Sequence, residues 1–403
     1  MTPHDLLRRA VATPSVTGTE AAFAALLADE CRALGLTPTV TDFAPGRPNV
    51  WAVRRGTGGG RSLLLIGHTD TVHVRGWRER WAGTERADPF AAPVIDGELW
   101  GRGAADLKAG LCTALSALAK IADAPLAGDV VLGFVGDEES GEPGSGVSAG
   151  MRDFAAALDA GRVPRPDFAI YVEPTRLAIY PAQMGFLICD LTVTGRSAYF
   201  GVPELGADAL RAAHAVLAAL WAHSADLSAA ATHKLIGRAF LLVTGISGGG
   251  LIAVPAEVRL SLIRKLRPGE DLAVARDGIE AAARGAVADP AITLDFAYPA
   301  GRDHPLGGLP SETDPAHPAV AALAAALARH ADGAGAIEGA PFWSEASFLT
   351  ARGIPTVYCA PGDIRICHTL EERVRLAEYD AAIAAFADFI RDWCGSNEQG
   401  RAT

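Results

Sequence analysis

The 403-residue sequence lacks long apolar runs, an excess of basic residues and paired cysteines, and each absence argues against a class of protein. No uninterrupted stretch reaches the ~18 apolar residues that a membrane-spanning helix needs, so we expect no membrane partner. Lys and Arg total 36 against 47 Asp and Glu, for a formal net charge of −11 at pH 7. Because binding to nucleic-acid phosphates requires a basic surface, we also expect no nucleic-acid partner.

The cysteines and the N-terminal residues both favour a cytoplasmic location. Six cysteines are scattered along the chain without a Cys-x-x-Cys pair, a pattern that suits reduced thiols better than a disulfide framework. The first residues, MTPHDLLRRAVATPSVTG, contain no apolar segment with a small-residue cleavage site, as a secretory signal would. We therefore expect a globular protein of the cytoplasm.

Helical and strand patterns alternate through the first part of the chain. TEAAFAALLADECRALG and DLKAGLCTALSALAKIA have helical spacing, whereas SLLLIGHTD, DVVLGFVGDEE and FAIYVEP contain short apolar strands. Apolar strands that alternate with helices predict an α/β fold, with a mainly parallel sheet covered by helices on both faces. We assign this α/β domain to residues 1–184 and 300–394.

The pattern changes near residue 185. FLICDLTVTG and EVRLSLIRKL alternate as half-exposed strands do, and GADALRAAHAVLAALWAHSA lies between them with helical spacing. These segments predict an inserted α+β domain at residues 185–299, within the usual size range of a domain. Residues 395–403 are predicted to form a disordered tail.

Ionisable residues lie where the apolar strands end and in the adjoining loops, the region where parallel sheets collect ligands. The set comprises His68, Asp70, Asp106, Glu138, Glu139, Glu173 and His368. Each alone could be a solvated loop acid, a helix cap or a core histidine, but buried carboxylates together require a counter-charge. Imidazoles and carboxylates without a thiolate suit Zn²⁺, with Co²⁺ or Mn²⁺ as alternatives. A carboxylate shared by two ions would make a two-metal hydrolytic site.

Five motifs carry a resemblance to a known family: GHTDTV, WGRGAADLKAGL, GDEESG, VEPT and CHTLEERV. In their order and approximate spacing, the sequence resembles the co-catalytic zinc metallopeptidases that include acetylornithine deacetylase, succinyl-diaminopimelate desuccinylase, aminoacylase and carboxypeptidase G. The resemblance implies a zinc-exopeptidase-like catalytic domain with two divalent metal ions. It also implies that the insert at 185–299 is a lid domain through which two chains form a homodimer.

The resemblance implies a role for each residue of the set. His68 and Glu173 would bind one ion, Glu139 and His368 would bind the other, and Asp106 would bridge the two. Glu138 would be the general base that takes a proton from water and later protonates the leaving amine. Asp70 would orient the ring of His68, which explains their spacing of two residues.

Four positions around the expected substrate depart from the family pattern. Tyr199 stands where the family usually has a histidine that reaches the scissile carbonyl, and Ile252 stands in place of an asparagine. Lys265 aligns with an arginine, with Arg264 one place out of register, and Glu345 replaces the usual aspartate. Drift on a lid surface or a one-residue shift could explain one such change. Several at the same end of a substrate favour a changed substrate, because Lys cannot copy a bidentate guanidinium.

A loop rich in arginine and tryptophan follows the first motif. Residues 73–90, HVRGWRERWAGTERADPF, could form a rim that accepts anions and aromatic groups, or an ordinary solvated loop.

Three functions compete on these observations. The first is an amidohydrolase that cleaves a C–N bond of a small N-acyl or N-carbamoyl compound. The second is a hydrolytic deaminase that uses the same two-metal site on an unusual substrate, such as an activated aromatic ring. The third is a non-catalytic binding protein, which the intact Glu138 and complete ligand set disfavour.

Overall fold

The computed structural model describes residues 1–139, 145–299 and 301–395, which divide into two compact units. The larger unit contains the described residues of 1–181 and 312–339 and those from 344 onward; the smaller unit contains those of 182–311 and 340–343. The predicted insert at 185–299 falls within the smaller unit. Of the predicted tail only Gly395 is described, and residues 396–403 lie outside the described residues.

Helices and strands are numbered in chain order. The helices are α1 Pro3–Val11, α2 Ala21–Ala33, α3 Trp77–Arg80, α4 Ala109–Lys120, α5 Ala149–Asp159, α6 Ala209–Ala230, α7 Leu272–Gly285, α8 Pro318–Ala328, α9 Ala346–Thr350 and α10 Leu376–Cys394. The strands are β1 Thr39–Ala44, β2 Arg47–Arg54, β3 Leu63–His68, β4 Val94–Ile95, β5 Glu98–Trp100, β6 Val130–Val135, β7 Phe168–Tyr171, β8 Ile179–Gln183, β9 Gly185–Thr194, β10 Thr232–His233, β11 Gly237–Arg238, β12 Phe240–Gly248, β13 Glu257–Leu266, β14 Thr293–Ala297, β15 Gly307–Gly308, β16 Ser311–Glu312, β17 Ile337–Ala340, β18 Thr356–Tyr358 and β19 Arg373–Arg375.

The main sheet of the larger unit is mixed. Its strands run in the order β1-β2-β6-β3-β7-β18-β8-β16, with β17 paired to β8. The central strands β6, β3, β7 and β18 are parallel, whereas β1–β2, β2–β6 and β18–β8 pair antiparallel. The predicted α/β class is confirmed. The antiparallel margins are an addition that the alternation of helix and strand patterns could not reveal.

Helices cover both faces of this sheet, as predicted. A Cβ added to Gly67 of β3 would lie 3.0 Å from Leu111 of α4, and a Cβ on Gly133 of β6 would lie 3.3 Å from Phe154 of α5. Gly133 is in register with Ile66, the neighbour of Gly67. Because successive residues of a strand point to opposite faces, α4 and α5 lie on opposite sides of the sheet. Helix α10 packs with α4, and α9 packs with α5.

The parallel strands bring the sequence motifs to one edge. Strand β3 ends at His68, in register with Val135 at the end of β6, and β7 ends at Tyr171. The residues that follow these strands therefore emerge side by side, at the edge where parallel sheets bind ligands.

The smaller unit is an antiparallel sheet covered by two helices. Its strands run β12-β13-β9-β14, with β15 beside β9, and α6 and α7 pack on β9 and β13. Burial alternates along β9 and β13, so one face of the sheet forms the core. Asp208 and Asp271 cap α6 and α7, each accepting two backbone N–H bonds. In neither unit is any described helix long and apolar enough to cross a membrane.

Helix α4 approaches the end of β7 so closely that it requires a glycine. A Cβ on Gly110 would lie 2.2 Å from the carbonyl oxygen of Val172, which precedes Glu173.

We expect Gly110→Ala to destabilise the protein by about 1–3 kcal/mol, because the helix must shift away from the strand end. Gly285→Ala, in α7 with no heavy atom within 4 Å of the added Cβ, is the matched control and should be neutral or slightly stabilising. Urea unfolding of both variants measures the difference. Equal free energies of unfolding would contradict the close approach.

Candidate metal centre

The structure brings the five predicted metal ligands together in the larger unit. His68 ends β3, Glu139 follows β6 and Glu173 follows β7. Asp106 lies in the kinked turn Ala104–Lys108, where its own φ of −116° and ψ of 93° are not helical, and this turn leads directly into α4. His368 follows a 3₁₀ turn, Ile364–Ile366. All are buried except His368, whose side chain is 54% exposed.

The ligand atoms form two groups that share one carboxylate. His68, Asp106 and Glu173 make the first group, and Asp106, Glu139 and His368 make the second; within each, the ligand atoms lie within 4.8 Å of one another. Asp106 Oδ1 is 3.2 Å from His68 Nε2, and Asp106 Oδ2 is 3.1 Å from His368 Nε2. Each oxygen of Asp106 thus faces a different histidine, the arrangement that a bridging ligand requires.

The remaining contacts complete each group. The distance from His68 Nε2 to Glu173 Oε1 is 3.7 Å, and the distance from His368 Nε2 to Glu139 Oε1 is 3.0 Å. Glu138 is half-buried and belongs to a further group with His68 and Glu139. The predicted base therefore lies beside both ligand groups.

The electrostatics of the cluster fit a divalent cation. Burial and the charge of Asp106 raise the pKa of Glu139 to about 8, and the same two causes raise the pKa of Glu173. Burial disfavours the charged form of His368. The hydrogen bonds and negative charges of Asp106 and Glu139 outweigh this effect and raise the pKa of the His368 imidazole to about 11. Asp106 Oδ1 is buried and makes no hydrogen bond of good geometry, although His68 is near. Carboxylate oxygens and imidazole nitrogens are ligands that suit Zn²⁺, Co²⁺ or Mn²⁺, and the three carboxylates give the cluster an excess of negative charge.

Asp70 has partners that differ from the predicted one. His68 Nδ1 is 2.9 Å from the backbone carbonyl oxygen of Asp70 but 3.8 Å from its carboxylate. The carboxylate instead accepts hydrogen bonds from the backbone N–H groups of Glu138 and Glu139, at 3.2 and 2.9 Å, and from the hydroxyl of Thr17 at 3.0 Å. These three donors satisfy the buried carboxylate of Asp70. The ring of His68 is therefore oriented by the backbone carbonyl of Asp70 and not by its side chain. The side chain of Asp70 therefore holds the segment that carries the predicted base.

Sequence reasoning missed two side chains that support the ligands. The Ser344 hydroxyl donates to Glu173 Oε1 at 2.8 Å, and Thr17 holds Asp70 as described above. Neither residue follows an apolar strand, and each is far along the chain from its partner. No local pattern could have identified them.

Glu345 is also buried in the larger unit. It accepts a hydrogen bond of 2.7 Å from the Tyr171 hydroxyl. Burial raises the pKa of the Glu345 carboxyl to about 8, and the nearby charge of Glu138 adds to the shift. Because Tyr171 ends β7, this carboxyl is bonded to the strand that precedes Glu173.

The other predicted substrate residues lie in the smaller unit. Arg264 is buried, pairs with Glu270 at 2.7 Å and donates to the carbonyl of Lys265. The Lys265 ammonium donates to the carbonyl of Ile236 at 2.6 Å. Both cations are engaged in bonds within that unit.

Tyr199 and Ile252, in contrast, are exposed, at 62% and 61%. They lie close together, because Tyr199 forms an isolated β-bridge with Ala253, and the Tyr199 ring is 4.6 Å from that of Phe200. Two of the departures from the family pattern therefore lie on neighbouring exposed segments of the smaller unit.

The loop of arginines and tryptophans packs on the protein itself. The Arg86 guanidinium lies over the rings of Trp81 and Trp100, at 4.6 and 3.8 Å. Trp77 is buried, and its indole N–H donates to the carbonyl of Arg86. These contacts make the loop a packed segment, which neither the rim nor the solvated-loop interpretation described, with Arg80 paired to Glu371 beside the His368 segment.

A family model describes most of this chain. Residues 64–392 match the model of peptidase family M20/M25/M40. The chain belongs to this family. That assignment confirms the resemblance read from the five motifs.

Among the curated relatives of this M20/M25/M40 protein is an acetylornithine deacetylase of Proteus mirabilis, 34% identical over 52% of this chain and 52% of the relative. Another is a succinyl-diaminopimelate desuccinylase of Cupriavidus necator, 35% identical over 55% of this chain and 57% of the relative. The aligned part thus spans about half the length of each. A metallo-carboxypeptidase from Sulfolobus solfataricus shares the fold, with a TM-score of 0.75 at 16% identity over 97% of this chain and 99% of that one.

We expect Asp70→Asn to destabilise the protein by about 1–3 kcal/mol, since its amide would turn an N–H toward a backbone or hydroxyl donor in a buried site. Asp271→Asn is the matched control. Its exposed carboxylate also accepts two backbone N–H bonds, and Asn serves equally well as a helix cap. Thermal unfolding of both variants measures the contrast. A similar loss of stability in both variants would show that the hydrogen bonds of Asp70 contribute no more than those of an exposed helix cap.

Proposed function

We propose that this protein is a metal-dependent hydrolase that cleaves a C–N bond of a small amide. The observation that carries the proposal is Asp106, whose two carboxylate oxygens each face a different histidine in overlapping ligand groups. The deacetylase and desuccinylase names of its relatives support amide bonds as the substrate class.

The ligand groups would hold two divalent ions, with Zn²⁺ as the first choice and Co²⁺ or Mn²⁺ as alternatives. His68 and Glu173 would bind one, Glu139 and His368 the other, with Asp106 between them. Such ions lower the pKa of water and polarise a carbonyl. The exposed edge of His368 leaves this side of the centre accessible from solvent.

Glu138 is the proposed general base. Its carboxylate takes the proton from the attacking water and returns it to the leaving nitrogen as the C–N bond breaks. The Asp70 carboxylate fixes its backbone by accepting the Glu138 N–H at 3.2 Å. Glu138 is half-buried, whereas Glu139 is buried and 3.0 Å from His368, which supports the division into base and ligand.

The substrate is proposed to be an N-acyl or N-carbamoyl compound. Lys265 and Arg264 are both engaged within the smaller unit, so neither supports the usual recognition of an α-carboxylate. Tyr199, Phe200 and Ile252 are exposed on the smaller unit. The second candidate is removal of an amine from an activated aromatic ring by the same metal centre.

A homodimer through the smaller unit is proposed as well. Strand β12 forms one edge of its sheet, and Leu242 and Ile246 on that strand are exposed at 53% and 59%. An exposed apolar edge strand invites pairing with another chain. A cytoplasmic location is supported by six cysteines that are all buried free thiols.

The proposed function is tested by incubating metal-loaded protein with N-acyl amino acids, dipeptides, carbamoyl compounds and aryl amines. We expect hydrolysis of an amide, its loss on exhaustive chelation and its recovery when metal is restored. Full turnover in the chelated protein would refute the metal-dependent mechanism. Release of amine from aryl amines alone would favour the second candidate.

Glu138→Gln should lower kcat by about 10²–10⁴-fold while leaving metal content unchanged, because it removes the proton acceptor and no ligand. Glu139→Gln is the companion variant and should lower metal content first. Metal analysis and kinetics on both proteins check the division of roles. Identical behaviour of the two variants would contradict it.

Tyr199→Phe should lower kcat about 10²–10³-fold with little change in KM if the Tyr199 hydroxyl donates to the developing oxyanion. Phe200→Leu, which alters the neighbouring ring and removes no hydroxyl, is the control. Steady-state kinetics on the best substrate of the panel measure both. A Tyr199→Phe enzyme within about threefold of wild type, ~0.7 kcal/mol in barrier, would remove this tyrosine from the catalytic residues.

A further inference from the structure

A buried ion pair joins two of the segments that carry metal ligands. Arg102 precedes Asp106 by four residues, and Glu372 follows His368 by four. Arg102 Nη1 is 2.5 Å from Glu372 Oε2, and the side chains of both are essentially inaccessible to solvent.

Each member of the pair also holds the backbone of the other segment. Glu372 Oε1 accepts hydrogen bonds from the N–H groups of Ala105 and Asp106, at 3.1 and 3.0 Å. Arg102 Nη2 donates to the carbonyl oxygen of Thr369, the residue after His368, at 3.1 Å. One carboxylate and one guanidinium therefore link the two segments through four bonds.

We propose that Arg102 and Glu372 are positioning residues that set the separation of Asp106 and His368. On this view they determine how tightly the site formed by Asp106, Glu139 and His368 holds its ion. The inference rests on the proposed function, since it requires that this group bind a metal.

His368 needs such support more than the other ligands do. The other four are buried, whereas His368 is exposed and has a left-handed backbone, with φ of 61°. Non-glycine residues hold that conformation only when their surroundings fix it. The 3₁₀ turn Ile364–Ile366 before it and strand β19 after it are only three residues each.

The loop of residues 73–90 reinforces the same segment from outside. The Trp81 indole N–H donates to the carbonyl of Leu370 at 2.6 Å. The Arg102 guanidinium also lies 5.3 Å from the centre of the Trp77 ring. The segment after His368 is thus held from the ion pair on one side and from Trp81 on the other.

A charged pair can hold the two segments at a fixed separation because the hydrogen bonds of both its members are directional. Glu372 accepts two successive N–H groups, and a guanidinium offers several donors in a rigid plane. Apolar residues of the same volume would fill the space and leave the N–H groups of Ala105 and Asp106 unsatisfied.

The test is a titration of metal-free protein with Zn²⁺ and with Co²⁺, in which two binding steps are resolved. His368→Ala identifies the step that belongs to the His368 site. We expect Glu372→Gln to weaken that step about 10–100-fold, the usual effect of removing a group that supports a ligand. The other step shares Asp106 but not His368, so we expect Glu372→Gln to weaken it less than the His368 step.

Glu270→Gln is the matched control, because Glu270 pairs with the buried Arg264 and accepts the N–H of Arg267 in the smaller unit. It should leave both binding steps unchanged. Trp81→Phe is a milder variant that keeps a ring and removes the bond to Leu370, and it should weaken the His368 step in the same direction. Its own control is Trp393→Phe, since that indole donates to the carbonyl of Ser62.

The outcomes separate this inference from the function beneath it. A wild-type protein that binds no ion would overturn the proposed function and the inference with it. Two ions bound with wild-type affinity by both Glu372→Gln and Trp81→Phe, even with reduced thermal stability, would overturn the inference alone.

Discussion

Three carboxylates buried together at the edge of one sheet impose the constraint on which the rest of the larger unit depends. Asp106, Glu139 and Glu173 cannot all be ionised in a low-dielectric site without nearby positive charge. His68 and His368 face these oxygens and carry part of that compensation. A divalent cation supplies charge and coordination together, so the same arrangement that is costly for folding alone becomes favourable for metal binding.

The segments that carry the predicted ligands are held by the same kind of contact at two places. Asp70 and Glu372 are buried carboxylates that are not ligands, and each accepts hydrogen bonds from two successive backbone N–H groups. In both cases the N–H groups belong to a segment that carries a ligand or the proposed base. The proposed centre thus has two kinds of carboxylate, one kind that would bind an ion and the other that binds the backbone.

Much of this centre could be predicted because of where its residues lie along the chain. His68 and Glu173 fall at or just after the ends of parallel strands, which meet at one edge whatever the details of packing. The partners of each side chain were harder to predict. The spacing of His68 and Asp70 places them on one side of the chain but cannot say whether the carbonyl or the carboxylate is nearer the ring. Arg264, aligned one place from a substrate position, instead pairs with Glu270, six residues further along the chain, a contact that the strand pattern did not reveal.

The positions of the ligands along the chain also set the order in which their side chains appear during synthesis. His68, Asp106 and Glu173, which form the first ligand group, all belong to the N-terminal part of the sequence. The second group also takes Asp106 and Glu139 from the N-terminal part, but its third member is His368, which lies shortly before the C-terminal helix α10. A chain emerging from the ribosome therefore displays every side chain of the first group long before the second can close. This is an order of appearance and not of positioning, because Ser344 and Glu372, which hold Glu173 and Asp106, also come from the C-terminal part. Both groups are therefore positioned only when that part has been made.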